Sequence, residues 1–380
     1  MERKKLQSIT QKDKKKTYHR RAWVRFILFV NRFVCIAALL SYCAAFVPPT
    51  IISWVSLLAL SIPVWQVFLL FFVVLWVQRK RFQLTTYSLI CLALGYKFLF
   101  YTFAISFGGE QGQFSVLSYN VHIFDVYENY QKTDKSSSKR MIDWVMADDS
   151  DFKCLQEFYN DKNSEVYNTL EQLSSDKSYE PYFEVVSTDN IGAEFGMAIF
   201  SKHPVLRKGE IMFNERTPNR AIFIDAIVNR DTVRVYNVHL QSMHIDQEVI
   251  KTENIFKKVF WAILERFEEG AMRRTEQIRA IERHILQCPY QNIVLCGDLN
   301  DLPYSFSYIT LKNHLENSFE SKGLGLGFTF NSWVLFFLRI DNIFYSPSLI
   351  CNDFLLDRQV NYSDHFPIKS RFSLASSKKE

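Results

Sequence analysis

Residues 291–303 read QNIVLCGDLNDLP, a short apolar run that ends abruptly in acid. Asn292–Cys296 is rich in β-branched and aliphatic side chains and is bounded by turn residues, which predicts a buried strand. Gly297 lets the backbone turn where the strand ends. Asp298, Asn300 and Asp301 crowd onto the exit loop, and Pro303 stops the strand from continuing. A rigid strand that delivers carboxylates and an amide at its carboxyl end fixes their positions, while the loop supplies the chemistry. Taken alone, Gly-Asp-x-Asn is equally a polar turn after a core strand. Four further stretches of the same form tip the balance, each an apolar strand ending in Asn, Glu, His or Asp.

Those stretches fall in the carboxyl-terminal two thirds of the chain. Phe114–Asn120 (FSVLSYN) alternates and stops at Asn120. Asp151–Phe158 (DFKCLQEF) closes on Gln156-Glu157. Ala221–Val228 and Thr232–His239 read as a hairpin about Asn229-Arg230-Asp231. Further strands are predicted at Tyr182–Ser187, Gly196–Phe200, Leu326–Phe330, Arg339–Tyr345 and Phe366–Phe372, the last opened by Ser363-Asp364-His365. Helical periodicity marks Ser136–Met146, with Met141, Trp144 and Val145 on one apolar face, and also Asn168–Leu173, Lys251–Phe267 and Met272–Leu286. Many strands with a few helices between them predict an α/β fold in which two packed sheets are flanked by helices. Residues 374–380 are small and polar and are expected to be a disordered tail.

The amino-terminal third is different. Residues 1–109 hold 15 basic and 2 acidic residues, whereas 110–380 hold 30 basic and 38 acidic, so the net +5 of the chain hides a basic segment and an acidic domain. The acidic domain lacks the basic stripe that tight duplex binding requires. After the basic residues 1–32 come three apolar stretches, Phe33–Val47 (extended backward through Phe26–Val30), Trp54–Val77 and Leu84–Phe107. The second and third can each cross about 30 Å of hydrocarbon, which takes about 20 residues. The first is interrupted by Asn31 and Arg32, and no small-residue cleavage site follows it as a signal peptide would require. Pro48-Pro49 leaves room only for a tight turn, and Arg79, Lys80 and Arg81 separate the second stretch from the third. Trp54, Trp65 and Trp76 lie near the expected interfaces, as anchors do. With no acidic residue inside them, the stretches read as anchors rather than as a transport path. Four regions result: 1–32, a basic cytoplasmic segment; 33–107, a region of three transmembrane helices; 108–373, a catalytic domain; and the tail. Of the seven cysteines, Cys154 and Cys296 sit in apolar strands, and no C-x-x-C spacing suggests a metal or disulfide framework.

The strand ends gather Asn120, Glu157, His239, Asp298 with Asn300, Asp341, and Asp364 with His365. Each alone has an ordinary reading: His239 as a satisfied core histidine, Asp341 as the ion-pair partner of Arg339. Together they form a set. Carboxylates and an amide oxygen without thiolates suit a hard cation, Mg²⁺ or Mn²⁺, rather than zinc. Two histidines offer proton transfer or neutralisation of a developing oxyanion. These parts fit attack of water on phosphorus with a metal on the phosphoryl oxygens.

The ordered set SYN, QEF, NVHL, GDLND, RIDNIF and SDHFPI resembles the endonuclease/exonuclease/phosphatase superfamily, which includes DNase I-like nucleases, abasic-site endonucleases, neutral sphingomyelinases and inositol polyphosphate phosphatases. The resemblance covers residues 110–373 and marks the chain as a membrane-anchored bacterial member. It implies a four-layered α/β sandwich, with two central sheets flanked by helices, preceded here by the three transmembrane helices. It also implies roles. Glu157 would be the chief metal ligand, helped by Asn120 and Asp364. His365 would contact the scissile phosphate and be oriented by Asp341. Asp298 would align or deprotonate the attacking water, with Asn300 in support, and His239 would donate to a phosphate oxygen. Phe328-Thr329-Phe330 matches the family's segment before the Asp341 strand. The pattern departs at His122, where abasic-site endonucleases carry an acid, and this removes one metal ligand and weakens a DNA-repair reading. The expected activity is Mg²⁺-dependent hydrolysis of a phosphodiester or phosphomonoester, nuclease-like, with a phospholipid or sphingolipid phosphodiesterase or phosphatase, or an inactive binding module, as the alternatives. The expected partners are a phosphate-ester substrate, either nucleic acid or lipid head group, and a lipid bilayer. Arg220, Arg273 and Arg279 are expected to be ion-paired surface residues.

Because positive charge is retained on the cytoplasmic side, the sequence predicts an inner-membrane protein with residues 1–20 inside and 110–380 in the periplasm or outside the cell. Protease added to spheroplasts should degrade the globular domain and spare the amino terminus; protection of the domain would contradict this topology.

Overall fold

The computed structural model describes residues 2–106, 109–126, 136–175, 178–213, 217, 219–242, 256–332 and 338–375. The chain divides into two compact units, residues 1–45 with 57–99, and residues 46–56 with 100–380.

The first unit is helical. Within the helix Glu2–Ala44, residues Arg21–Ala44 form 24 residues apolar enough to cross a membrane. Where the sequence predicted three spans, this is the one helix among the described residues with the required length. The second apolar stretch breaks after Val55–Leu60 and resumes as Ile62–Gln78, a helix of 17 residues with Pro63 in its first turn. The third breaks at Gly95, which ends Phe82–Leu94 after 13 residues. Asn31, read as an interruption, instead joins three helices: it accepts from Trp76 Nε1 at 2.9 Å and donates to Ser88 Oγ at 3.0 Å. Buried polar groups without water must find each other in this way.

Among the described residues the second unit carries fourteen strands, numbered in chain order. The first five are β1 (Phe103–Ile105), β2 (Phe114–Asn120), β3 (Phe152–Asn160), β4 (Glu180–Thr188) and β5 (Glu194–Ser201). The next five are β6 (Val205–Ile211), β7 (Arg220–Val228), β8 (Asp231–His239), β9 (Asn292–Asp298) and β10 (Glu316–Asn317). The last four are β11 (Leu324–Leu326), β12 (Asp341–Tyr345), β13 (Leu349–Leu356) and β14 (Ile368–Leu374). Two sheets of six strands result, ordered β13-β14-β2-β3-β5-β4 and β10-β12-β9-β8-β7-β6. Residues 103–105, which belong to the third apolar stretch of the sequence, are β1 and pair with β11. The predicted hairpin is present, with Asn229 and Arg230 at φ 48° and 79° as a two-residue turn of the primed kind. Of the predicted strand Leu326–Phe330 only Leu326, the end of β11, and a single bridge from Phe330 to His365 remain, while Thr329 N–H donates to the carbonyl of Leu338. Strands β6 and β13 escaped the sequence reading; their exposed faces are charged or irregular.

Each sheet contains one parallel pair joined by a helix. Strands β2 and β3 are linked through Ser136–Ala147, and β8 and β9 through a long helix. The two helices predicted between β8 and β9 are one among the described residues, Phe256–Leu286, running unbroken through Gly270; Lys251–Ile255 lie outside the described residues. Between the sheets lies an apolar core built from Phe114, Val116, Cys154, Ile199, Ile222, Val235, Val294 and Cys296. Outside the first sheet, Met141, Ile142 and Val145 of Ser136–Ala147 pack on Tyr119, Leu155 and Phe158, with Trp144 against them. Outside the second, Ile278, Ile281 and Ile285 are buried and His284 lies against Phe223 and Tyr236. Helices therefore flank both sheets, as the α/β reading predicts.

The sequence ends the central strand at Gly297, but β9 runs through this glycine to Asp298, and Gly297 pairs with Val238 on one side and Asn342 on the other. Gly297 has φ 139°, and a Cβ there would lie 1.9 Å from the carbonyl oxygen of Val238 on the neighbouring strand. Gly297→Ala should destabilise the protein by about 2–5 kcal/mol, from strain plus overpacking. Chemical denaturation of the full chain checks this; a midpoint equal to wild type would show that the close approach is not enforced.

Candidate active site

Three neighbouring strands deliver a row of polar side chains. Register places His239 of β8 opposite Asp298 of β9, and Asp298 opposite Asp341 of β12. Adjacent strands are about 4.8 Å apart, so the three backbones sit within reach of one another's side chains. The facing sheet brings Asn120 at the end of β2, Glu157 on β3, and Asp364-His365 just before β14. Both parallel pairs thus end at the same place, where open α/β sheets bind ligands.

Asp298 lies at the centre. It is 1% exposed, and its Oδ1 accepts from the backbone N–H of Asn300 at 2.7 Å. Its Oδ2 accepts from Asn300 Nδ2 at 3.2 Å and Asn120 Nδ2 at 3.3 Å. His239 Nε2 and His365 Nε2 each lie 3.7 Å from the same oxygen. Asn300 reaches back because its φ is 49°, a conformation Asn tolerates, and it also donates to the carbonyl of Leu240 at 3.0 Å.

His365 is held from its other side. Its Nδ1 lies 2.8 Å from Asp341 Oδ2. Thr329 Oγ1 accepts from the backbone N–H groups of Ile340 and Asp341, each at 3.1 Å, which sets the start of β12, and Phe330 stands edge-on to the imidazole at 5.1 Å. Burial opposes the charge on His365, but Asp341, Asp298 and Asp364 outweigh it and hold the imidazole well above its ordinary pKa. Burial also favours the neutral acid at Asp341, which the neighbouring ring opposes. The direction for the pair is His365's, since three carboxylates face one ring. Arg339 does not pair with Asp341: it is buried and donates to Asn317 Oδ1 at 2.6 Å, to Asn342 Oδ1 at 2.9 Å and to the carbonyl of Tyr101.

The open side of the site is formed by Glu157 and Asp364, whose side chains are 31% and 30% exposed. Glu157 sits in a bulge of β3 against β5, at φ 51°. Bulges of this kind re-aim one side chain, here toward the strand ends. Glu157 Oε1 accepts from Asn120 Nδ2 at 3.0 Å and lies 3.6 Å from His239 Nε2. Two accessible carboxylates and no thiolate fit a hard divalent cation. Asn120 turns its amide nitrogen toward Glu157 while its oxygen accepts from the backbone N–H of His122 at 3.0 Å. It therefore steadies Glu157, and would offer oxygen to a cation only with the amide turned over. A second donor group, Asp298, Asp341 and His365, lies within 4.8 Å but is buried. Its histidine is already committed to Asp341, so the open carboxylates are the better cation site.

Sequence reasoning missed the supports. Gln156 Nε2 donates to Asn237 Oδ1 at 2.6 Å, and Asn237 Nδ2 donates to the carbonyls of Leu155 and Ala198 at 2.9 and 3.0 Å, which ties the two sheets together beneath the site. The sequence signal was an Asn between Tyr236 and Val238, two residues before His239, and the structure buries it fully. His122, read only as a departure, is hydrogen-bonded to Asp125 at 3.2 Å; that bond, against burial and with help from Asp364 and Glu157, raises its pKa to about 9. Residues 122–125 all have positive φ, which no sequence pattern announces. Among the arginines, Arg273 pairs with Glu269 at 2.7 Å, Arg220 lies 3.8 Å from Glu210, and Arg279 lies over the ring of Phe306.

Comparison with known proteins agrees with this geometry. Residues 117–365 match the endonuclease/exonuclease/phosphatase family, and residues 24–102 match a domain of unknown function. No curated protein matches the chain. Among solved structures, the chain is similar to an endonuclease/exonuclease/phosphatase from Beutenbergia cavernae, with 17% identity and TM-score 0.50, covering 70% of this chain and 72% of that one. It is also similar to a family protein from Leptotrichia buccalis, with 15% identity and TM-score 0.50, covering 68% of this chain and 98% of that one. At such identities the structural likeness speaks for the fold alone. The family match spans well over half of the chain and includes every residue of the site. The chain belongs to the endonuclease/exonuclease/phosphatase family and is a hydrolase acting on phosphate ester bonds.

Proposed function

We propose that this is a membrane-anchored, Mg²⁺-dependent phosphoesterase that cleaves a phosphodiester in nuclease-like fashion by attack of water on phosphorus. One observation carries the reading: a single carboxylate oxygen, Asp298 Oδ2, lies within 3.7 Å of both His239 Nε2 and His365 Nε2. A base and two imidazoles able to donate converge there at the ends of the two sheets. Asp298, steadied by Asn300, aligns the attacking water and accepts its proton. His239 and His365 donate to non-bridging oxygens, and their interaction strengthens as negative charge grows in the transition state. Asp341 holds His365 by Nδ1 so that Nε2 faces the phosphate. A divalent cation held by Glu157 and Asp364, with Asn120 beside them, would supply charge neutralisation at the phosphoryl oxygens. The anchor reading rests on Arg21–Ala44, together with the basic amino terminus. In this reading the amino terminus is cytoplasmic, Arg21–Ala44 crosses the membrane, and the catalytic unit faces the periplasm or the exterior.

The full-length chain in detergent should hydrolyse at least one member of a panel comprising DNA, RNA, sphingomyelin, phosphatidylinositol phosphates and p-nitrophenyl phosphates, with Mg²⁺ or Mn²⁺ and not with EDTA. Turnover of a lipid but of no nucleic acid would replace the nuclease-like part of the proposal. Glu157→Gln keeps the shape and removes the charge, so the Mg²⁺ needed for half-maximal rate should rise sharply while thermal stability stays near wild type. Full activity of this variant at low Mg²⁺ would refute the ligand assignment.

Asp341→Asn and His365→Ala should each lower kcat by roughly 10²–10³, the usual loss for one transition-state donor. The double variant should be little slower than the slower single, because residues that act as a unit are not additive. Fully multiplicative losses in kcat would show that the two work independently.

A further inference from the structure

The helical unit contains a cavity of about 690 Å³ whose chemistry the phosphoesterase site does not use. That volume is within the usual range of small-ligand cavities, about 300–1,000 Å³. Arg21 and Arg25 line it from the helix Glu2–Ala44, and Arg79 and Arg81 from the turn that follows Ile62–Gln78. Arg21 and Arg25 are four residues apart and so share one helix face. The turn is held by backbone bonds from Arg79 N–H to Leu75 O at 3.1 Å and from Arg81 N–H to Trp76 O at 2.9 Å. Trp23 and Trp76 complete the lining, and Trp76 is fixed by its bond to Asn31.

Four exposed guanidinium groups around one cavity make a positive site that favours an anion, although water and salt screen their mutual repulsion. No Asp or Glu is among the residues that line it, and none occurs in the sequence between Asp13 and Glu110. The fork of an arginine matches the oxygens of a phosphate, which it can grip with two parallel hydrogen bonds. Below the arginines the helix surfaces turn apolar and exposed: Phe26, Phe29, Val74 and Val77 are 58%, 67%, 55% and 47% exposed. A ligand with an anionic head and a hydrocarbon tail satisfies both halves, whereas a free phosphate satisfies one. We propose that this cavity binds the phosphate of an anionic membrane glycerophospholipid at the water-facing end of the apolar helices. The proposal rests on reading Arg21–Ala44 as a membrane anchor, and basic pockets between membrane helices on the cytoplasmic side are where such head groups bind.

The test uses the full-length chain purified in detergent, with phosphatidylglycerol or phosphatidylcholine added to the micelles and the retained lipid counted by native mass spectrometry. Phosphatidylglycerol should be retained with roughly tenfold preference, a difference readily resolved as a ratio of dissociation constants. Arg25→Gln with Arg79→Gln should abolish the preference, while Lys97→Gln, a basic residue of the same unit outside the cavity lining, should leave it intact. Equal retention of the two lipids, or an equal loss with Lys97→Gln, overturns the proposal. Displacement of the lipid by millimolar inorganic phosphate assigns the cavity to a free anion and also overturns it. Carbonate extraction of membranes separates the two readings. A chain that stays integral but shows no lipid preference removes only the pocket, and one released into solution removes the anchor with it.

Discussion

Asp298 is a carboxylate taken almost entirely out of water, and the site is arranged around what that requires. An isolated buried charge costs several kcal/mol unless donors replace its hydration. Here they come from its own loop through Asn300, from the facing sheet through Asn120, and from two histidines on β8 and before β14. The ends of both sheets must meet for this carboxylate to be satisfied. Catalytic geometry and sheet packing are therefore linked at this point, since a shift of one sheet against the other would take Asn120 and His365 away and leave the charge only Asn300 and His239.

Beneath the carboxylate a second polar tie works with it. The Gln156–Asn237 pair crosses between the sheets, and the Asn237 side chain bonds to Gln156, Leu155 and Ala198 of the opposite layer. A buried amide pair is directional where an apolar core is not, so it holds the register between sheets that Phe114, Ile199, Val235 and Val294 only press together. Glu157 follows Gln156 directly, and the bulge that contains them turns one side chain inward to the tie and the next outward to the open edge. One local irregularity thus serves both structure and site.

The same logic recurs at the start of β12. Arg339 is a buried cation with no carboxylate among its hydrogen-bond partners; it is held instead by Asn317, Asn342 and the carbonyl of Tyr101, with the ring of Phe319 4.5 Å from its guanidinium. It lies two residues before Asp341 and binds the chain just ahead of β1. The segment leading into the globular unit is thereby built into the support of a site residue. This explains why residues 100–105 group with the globular unit although their composition is that of the apolar region.

By itself the sequence determined the strands that end in polar residues, the hairpin at Asn229-Arg230, the apolar face of Ser136–Ala147 and the charge divide near residue 109, because each is written in local periodicity or composition. It also singled out the eight residues at the strand ends, since a polar group closing an apolar run stands out without any knowledge of its neighbours. Tertiary structure decided what those groups do to one another. That Asn120, His239 and His365 join Asn300 around one oxygen of Asp298, that Arg339 turns away from Asp341, and that Asn120 points its nitrogen at Glu157 all depend on pairings between residues far apart in the chain. The breaks that shorten two apolar stretches fall at Pro63 and Gly95, which the sequence shows, but the bulge at Glu157 and the run of positive φ at residues 122–125 are outcomes of packing. Backbone conformation at such points is set by the contacts it must make, and one-dimensional pattern carries no record of them.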